Sequence, residues 1–489
     1  MFEKIKNSPD YRWYVLATIT ISTFMSTLDS SIVNVAMPTI SHQLQADLST
    51  LQWTVTAYLL ALSSLLPVFG RLGDLLGRKK VYTLGFLIFT AGSVLCGLAV
   101  NIWFLVAARV VQAVGAAMLM ANSVAIITAT FPLQERGRAL GLASTVAAIG
   151  TLTGPALGGV LIGLAGWRSI FYINVPIGII AYVIARSIIP NDSPQKEKEG
   201  FDYVGALLFS VGITILLLAI NNGESWGWSS QPILLGLVLG GVLLTSFIIN
   251  ERKVAHPIID LSLFRIRPFV VGILAAFLCF VAVYANNLLL PFYLQDVLYY
   301  KPSKVGLTMA TFPLGMAVAA PLSGRASDKY GPLYLTTGAL AVCAIAFFYF
   351  STLTAASSFY QVLPGTLLLG IGLGMFQSPN SSSVMSSVPR NKLGQAGGIN
   401  SLIRNVGMIM GIALSVTLFQ AWGGVAKPAP GQIDAFMSAF HSVMLVAMTI
   451  AAAAAAISLG RKSYHHPGTG SPGRPDPETP SAAARKEAG

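Results

Sequence analysis

An aspartate inside an apolar helix is the residue of this chain with the clearest chemistry. Asp29 stands in Leu28-Asp29-Ser30-Ser31-Ile32-Val33-Asn34-Val35-Ala36-Met37-Pro38, which closes the first long apolar run. Counting roughly 1.5 Å per residue from a start near Trp13 puts it about 24 Å along the helix. That is past the middle of a hydrocarbon core about 30 Å thick. Insertion scales charge roughly 2.5–3.5 kcal/mol for an Asp at such depth, so the side chain is expected to face a protein interior or a wet cavity. Of the 19 Asp and Glu residues it is the only one well inside an apolar run. Low dielectric disfavours the charge of a lone carboxylate, so such an acid can hold and release a proton as its access to water alternates. Arg109 and Gln112 follow in the fourth run, three apart and on one helical face. An Arg within a span is a functional candidate; a side chain snorkelling from near the helix end is the other reading.

Other chemistries find little support. The five histidines form no helical metal pair with an acid, and no Gly-x-x-x-x-Gly-Lys-Ser/Thr phosphate loop is present. Cys96, Cys279 and Cys343 fall in apolar runs without metal-ligand spacing and are read as packing residues. We therefore expect neither an enzyme nor a metal site, no organic cofactor, and a proton gradient rather than ATP as the energy source.

The elements that must position these residues are membrane helices. The chain has 489 residues, 54% hydrophobic and 10% charged, with mean hydropathy +0.68, whereas soluble domains carry about 25% charged residues. Apolar runs of about 20 residues indicate helices rather than a barrel. Spans are expected at 13–38, 51–70, 81–100, 104–128, 139–164, 168–189, 203–221, 232–250, 268–296, 304–324, 332–353, 358–386, 396–420 and 433–459. With the N-terminus inside, the basic residues concentrate on one side. They leave Arg168, Lys301, Lys304 and Lys427 on the other and Arg109 and Arg404 within helices. The positive-inside rule then makes both termini cytoplasmic. It also accounts for the net charge of +12 without nucleic acid, since no basic helix or aromatic-interleaved patch appears.

An internal repeat organises the spans. Gly70-Arg71-Leu72-Gly73-Asp74-Leu75-Leu76-Gly77 returns in outline as Gly324-Arg325-Ala326-Ser327-Asp328-Lys329-Tyr330-Gly331, with Gly, Arg, Asp and Gly at identical spacing. Each copy joins the second and third helices of a six-helix half once the helix pair between the charged linkers at 190–202 and 251–267 is set aside. Two parallel six-helix repeats are a transporter arrangement with the substrate path at their interface. The expected fold is an all-α membrane protein: two six-helix bundles, 1–190 and 266–460, plus two inserted transmembrane helices within 191–265. A tail, 461–489, has a composition that cannot bury a core.

The loop Gly70 to Lys80 resembles the signature loop of the major facilitator superfamily. That resemblance implies a conformational latch made by Gly70, Arg71, Asp74, Gly77 and Arg78, with Asp328 its counterpart; solvated topology charges are the plainer reading. Arg109-Val110-Val111-Gln112-Ala113-Val114-Gly115-Ala116-Ala117 is similar to the family's Arg-x-x-Gln-Gly-x-Gly-Ala-Ala, with Ala113 in place of a Gly. Gly150-Thr151-Leu152-Thr153-Gly154-Pro155-Ala156-Leu157-Gly158-Gly159 resembles the superfamily's antiporter motif. Its glycines give a smooth stripe for close helix approach, expected to let the two halves slide and seal, and Pro155 can bend the helix. A plain packing interface reads the same residues equally well. Gly166 to Gly178, Gln52-Trp53 with Tyr58, and the opening stretch with Leu28, Asp29, Asn34, Ala36 and Pro38 resemble the fourteen-helix drug:proton antiporters.

These readings converge on an exchanger in which Asp29 takes up a proton outside and releases it inside, tuned by Arg109 and Gln112. Asn34, Tyr58, Asn122, Tyr284, Asn286, Asn287, Gln377 and Asn380 are candidates to line the central cavity, or equally to make helix-to-helix hydrogen bonds. The resemblance implies a cell-membrane efflux pump for lipophilic drugs or natural products, acting as a monomer, and a lone acid would suit cationic or neutral compounds. Export of an endogenous metabolite or lipid, and a sensor without flux, are the alternatives.

Overall fold

The structure, a computed structural model, describes residues 8, 10–46, 48–191, 200–424, 428 and 430–461. Fourteen long helices occur among them: α1 (Tyr11–Leu44), α2 (Leu48–Leu76), α3 (Arg78–Gly97), α4 (Ile102–Thr130), α5 (Arg136–Ala165), α6 (Ser169–Ile188, interrupted at Ile173), α7 (Tyr203–Trp226), α8 (Gln231–Glu251), α9 (Arg267–Phe292), α10 (Pro302–Tyr330), α11 (Pro332–Ser351), α12 (Phe359–Ser386), α13 (Leu393–Ala421) and α14 (Ile433–Ser458). Thirteen are long and apolar enough to cross a membrane, and α5, bent by 41° between Gly154 and Leu157, completes fourteen spans. No strand occurs among the described residues, in keeping with a solvent that cannot satisfy an open sheet edge. The tail from 462 onward and most of the first linker lie outside the described residues.

Two turns differ from the sequence expectation. Residues 70–80 read as a loop, yet α2 runs on through Leu76 and only Gly77, at φ +94°, leaves the helix. The repeat behaves alike: α10 continues to Tyr330 and Gly331 turns at φ +82°. Glycine carries no penalty at positive φ, so each chain reversal needs a single residue. Asp74 and Asp328 consequently project from the last turns of rigid helices.

Packing follows from small residues. Among the first six helices, α1 lies against α5, α6 and α4, and α4 against α2 and α3; among the last six, α12 lies against α10 and α11, and α9 against α13 and α14. Two seams join these groups, α2 with α13 and α5 with α10. Both are backbone-to-backbone: a Cβ added at Gly70 would collide with the Gly394 carbonyl, and one at Gly137 with that of Gly324. The inserted α7 and α8 pack on each other, and α7 also touches both α2 and α13, covering that seam. α8 turns Leu235, Val238 and Val242 outward, as a helix facing hydrocarbon would.

Candidate functional site

The deepest polar cluster forms where α1, α2, α3, α4 and α6 meet. Asp29 is fully buried, at 0% exposure, and Arg109 from α4 donates through Nη1 to its Oδ2 at 2.6 Å. The Gln112 amide sits one turn further along and closes a ring. Its Oε1 accepts from Arg109 Nη1 at 2.6 Å, while Nε2 donates to Asp29 Oδ1 at 2.9 Å and to Ser93 Oγ of α3 at 2.8 Å. Asn174 Nδ2, from α6, gives Asp29 Oδ1 a further donor at 3.0 Å. Arg109 Nε reaches the Thr54 carbonyl of α2 at 3.2 Å, and its guanidinium lies 4.1 Å above the centre of the Tyr58 ring. The i, i+3 spacing of Arg109 and Gln112 aims both at one acid, and five helices must hold their places for the ring to close.

This geometry sharpens two expectations. Arg109, 1% exposed, does not snorkel. Nor is Asp29 a lone acid: a guanidinium compensates its charge, so the pair is neutral where either ion alone would carry a desolvation cost of several kcal/mol. Protonating Asp29 would leave Arg109 buried without its counter-ion, so gain of a proton and rearrangement of this cluster are physically linked. Asn174 and Ser93 were not singled out in the sequence. Asn174 lies within the stretch Gly166 to Gly178, where a single small amide carries little insertion cost to set it apart.

The expected latch residues occupy a mirrored arrangement. Asp74 Oδ1 and Oδ2 accept from the backbone N–H groups of Gly394 and Gln395, both at 2.9 Å, at the N-terminus of α13. Asp328 does the same for α5, accepting from Gly137 and Arg138, both at 2.8 Å. Each acid satisfies orphan donors of a helix across a seam and meets the positive end of its dipole. Arg78 braces the first copy, donating through Nη2 to Asp74 Oδ1 and to the Arg390 carbonyl, each at 2.8 Å. Gly70 sits in the seam, Gly77 makes the turn, and Arg71 is buried nearby.

The segment after α8 joins this end of the bundle. Glu251 accepts from the N–H groups of Ile258 and Ile259 at 3.3 and 3.2 Å, and the Asp260 N–H donates to Gln395 Oε1 at 3.2 Å. Lys392 Nζ donates to the Asp260 carboxylate. Burial would raise that carboxyl, but the hydrogen bonds from Lys392 and Ser262 outweigh it and hold Asp260 below the usual carboxylate range. The strap is thus tied to the residue after Gly394, whose N–H groups Asp74 caps.

Other candidates divide. Gly150, Gly154 and Gly158 do form a stripe, but they face Thr27, Ser31 and Ile32 of α1, while Gly137 and Gly141 of the same helix face α10. The seal between the two groups therefore lies nearer the start of α5 than expected, and the stripe instead supports the helix that carries Asp29. Gly159 is exposed with nothing near its Cβ position. The side chains of Asn34 and Pro155 lie outside the described ones. Tyr58 belongs to the Asp29 cluster, and Asn122 bonds the Phe69 and Met118 carbonyls at 3.2 and 2.9 Å as a packing residue between α4 and α2. Asn286 and Asn287 line one small cavity, with Thr366 and Phe312. Gln377 and Asn380 line another, with Asn400 and Arg404; Tyr284 is partly buried on α9.

Two groups of helices, joined by seams where Asp74 and Asp328 each cap a helix of the other group and carrying a buried charge cluster among apolar spans, have the build of a membrane transporter. The sequence matches the Major Facilitator Superfamily over residues 19–412 and again over 273–485, and the chain belongs to that family. It is 38% identical over 411 residues to the riboflavin transporter RibZ of Clostridioides difficile, covering 83% of this chain and 88% of the relative. It is 35% identical over 400 residues to the multidrug resistance protein Stp of Mycobacterium tuberculosis, covering 82% and 74%. A probable actinorhodin transporter of Streptomyces coelicolor is 31% identical over 436 residues, covering 86% and 75%. Among solved structures, the proton:xylose symporter XylE superposes with TM-score 0.66 and the human organic anion transporter TETRAN with 0.64. Each is 14% identical and covers 91% of this chain, with 95% and 100% of the respective neighbour. The chain is a multi-pass membrane transporter, not an enzyme.

Proposed function

We propose that this transporter is a proton-coupled antiporter that exports lipophilic drugs or natural products across the cell membrane by alternating access, as a monomer with both termini cytoplasmic. The observation that carries the reading is the Asp29–Arg109 ion pair, held by Gln112 and Asn174 inside the first six helices. A proton arriving from outside neutralises Asp29, frees Arg109 and loosens the packing of α1 on α4. The halves 1–190 and 266–460 then rearrange, the caps made by Asp74 and Asp328 let go, and loss of the proton to the inside restores the pair. The resemblance to multidrug resistance proteins supports an efflux substrate. The cation preference expected from a lone acid loses its ground, because Arg109 neutralises that acid. Similarity to a riboflavin transporter favours a second reading, export of an endogenous metabolite.

The test is transport by the full chain in proteoliposomes against a panel of drugs, dyes and metabolites at imposed pH gradients. Flux that follows the gradient and collapses with an uncoupler supports the proposal. Flux indifferent to the gradient, or binding without flux across the panel, contradicts it.

A further inference from the structure

We propose that the cavity between α9, α12 and α13 is an anion subsite of the transport path, so that preferred substrates carry a carboxylate or another anionic oxygen group; this rests on the transport reading above. The cavity is lined by Ala276, Phe280 and Phe376 on its apolar side and by Gln377, Asn380, Ser381, Asn400 and Arg404 on its polar side. No Asp or Glu is among the residues lining it. Arg404 sits eleven residues into α13, about 16 Å from its start and so at mid-membrane depth. It makes no ion pair or hydrogen bond with any described residue; the Tyr284 phenol is near enough to interact with it electrostatically but is neutral, and a cation without a counter-ion in that setting is costly unless a ligand supplies the charge.

A second guanidinium stands behind the wall. Arg461, 3% exposed, donates through Nη2 to Asn380 Oδ1, while its Nε and Nη1 are buried without a partner. That bond orients the Asn380 amide, whose two N–H donors make no hydrogen bond with any described residue. The lining therefore presents a cation and amide donors beside two aromatic rings, a chemistry suited to an anionic oxygen group next to an apolar substituent. Asp29 is paired with Arg109 in the other half, so no carboxylate lines this cavity to give a cation a counter-charge.

The experiment compares an aryl-carboxylate dye with its neutral methyl ester, using the full-length protein in phosphatidylcholine liposomes free of anionic headgroups. Binding is read by dye anisotropy and transport by dye flux. We expect the parent to bind the carboxylate at least tenfold more tightly than the ester. Arg404→Gln is expected to weaken the carboxylate ~10- to 100-fold, the size of one or two charge-assisted hydrogen bonds, and to leave the ester unchanged. Arg404→Lys should retain most of the preference and shows that the variants fold. Equal binding of acid and ester by the parent, or equal losses for both in Arg404→Gln, overturns the inference. So does displacement of the dye by an anionic lipid with no effect on dye flux, which would make this a headgroup site. Arg404-dependent binding of the carboxylate with no flux of either dye upholds the subsite and counts against the transport reading. Flux of the ester without selectivity for the acid does the reverse.

Discussion

Removing one member of the Asp29–Arg109 pair should cost far more than removing both. Asp29→Asn keeps the shape and a carbonyl acceptor for Gln112 or Asn174, but it leaves the guanidinium, 1% exposed, without a counter-charge. Breaking a buried pair from one side typically costs about 3–5 kcal/mol. Arg109→Gln strands the carboxylate in the same way, although Gln112 and Asn174 still donate to it at 2.9 and 3.0 Å, so its cost should be nearer about 3 kcal/mol. The double variant places two neutral amides where the ions stood and should recover much of the loss, giving a coupling of about 2–3 kcal/mol. The assay is unfolding of the four proteins by increasing SDS fraction in mixed micelles, followed by tryptophan fluorescence. Additive losses, or an Asp29→Asn variant as stable as the parent, would refute the reasoning that the pair is a desolvated and mutually dependent one.

The glycine stripe makes a contrast within one helix: Gly154→Ala sets a methyl against Ser31 on the Asp29 helix and should lower stability by about 1–3 kcal/mol, whereas Gly159→Ala, with nothing near its Cβ position, should be within about 0.5 kcal/mol of the parent; SDS unfolding reads both. Replacing a capping side chain by Ala typically costs about 0.5–2 kcal/mol, so Asp74→Ala and Asp328→Ala should each favour opening at the end of the bundle where these acids lie. Single cysteines placed at Ala320 or Leu66 should then label faster with a water-soluble maleimide, and unchanged labelling in both variants would discount the latches. Asp260 is held below the ordinary carboxylate range, so its tie to Lys392 is fully present above the unfolded-chain value and is lost as pH falls through the lower folded one. Hydrogen exchange at residues 257–263 should accelerate only in strong acid in the parent and should be fast already at neutral pH in Asp260→Asn.

Much of the site was legible because charge in an apolar run has few explanations. Asp29, Arg109 and Gln112 stand out by their insertion cost and by a spacing that puts two of them on one face. The repeated Gly, Arg and Asp pattern also marked both acids that cap a helix across a seam. What the sequence withheld was partnership between helices. Periodicity gives the face of α5 that carries Gly150, Gly154 and Gly158, yet not that this face meets α1 while Gly137 and Gly141, on the same helix, meet α10. Asn122 and Tyr58 look like cavity polar groups in sequence, and one is spent on two carbonyls while the other lies under a guanidinium. Asn174 escaped because a small amide carries no insertion cost large enough to draw notice. The continuation of α2 beyond Gly70 was hidden by glycine itself, which marks turns more often than the close helix crossing it serves here.

Proton movement during transport bears most directly on the account. Liposomes holding an internal pH dye and reconstituted with the parent should show protons crossing against each substrate pulse, while Asp29→Asn should show substrate-induced pH change reduced to the level of empty liposomes. Counterflow of protons in Asp29→Asn equal to that of the parent would contradict the assignment of proton coupling to this residue.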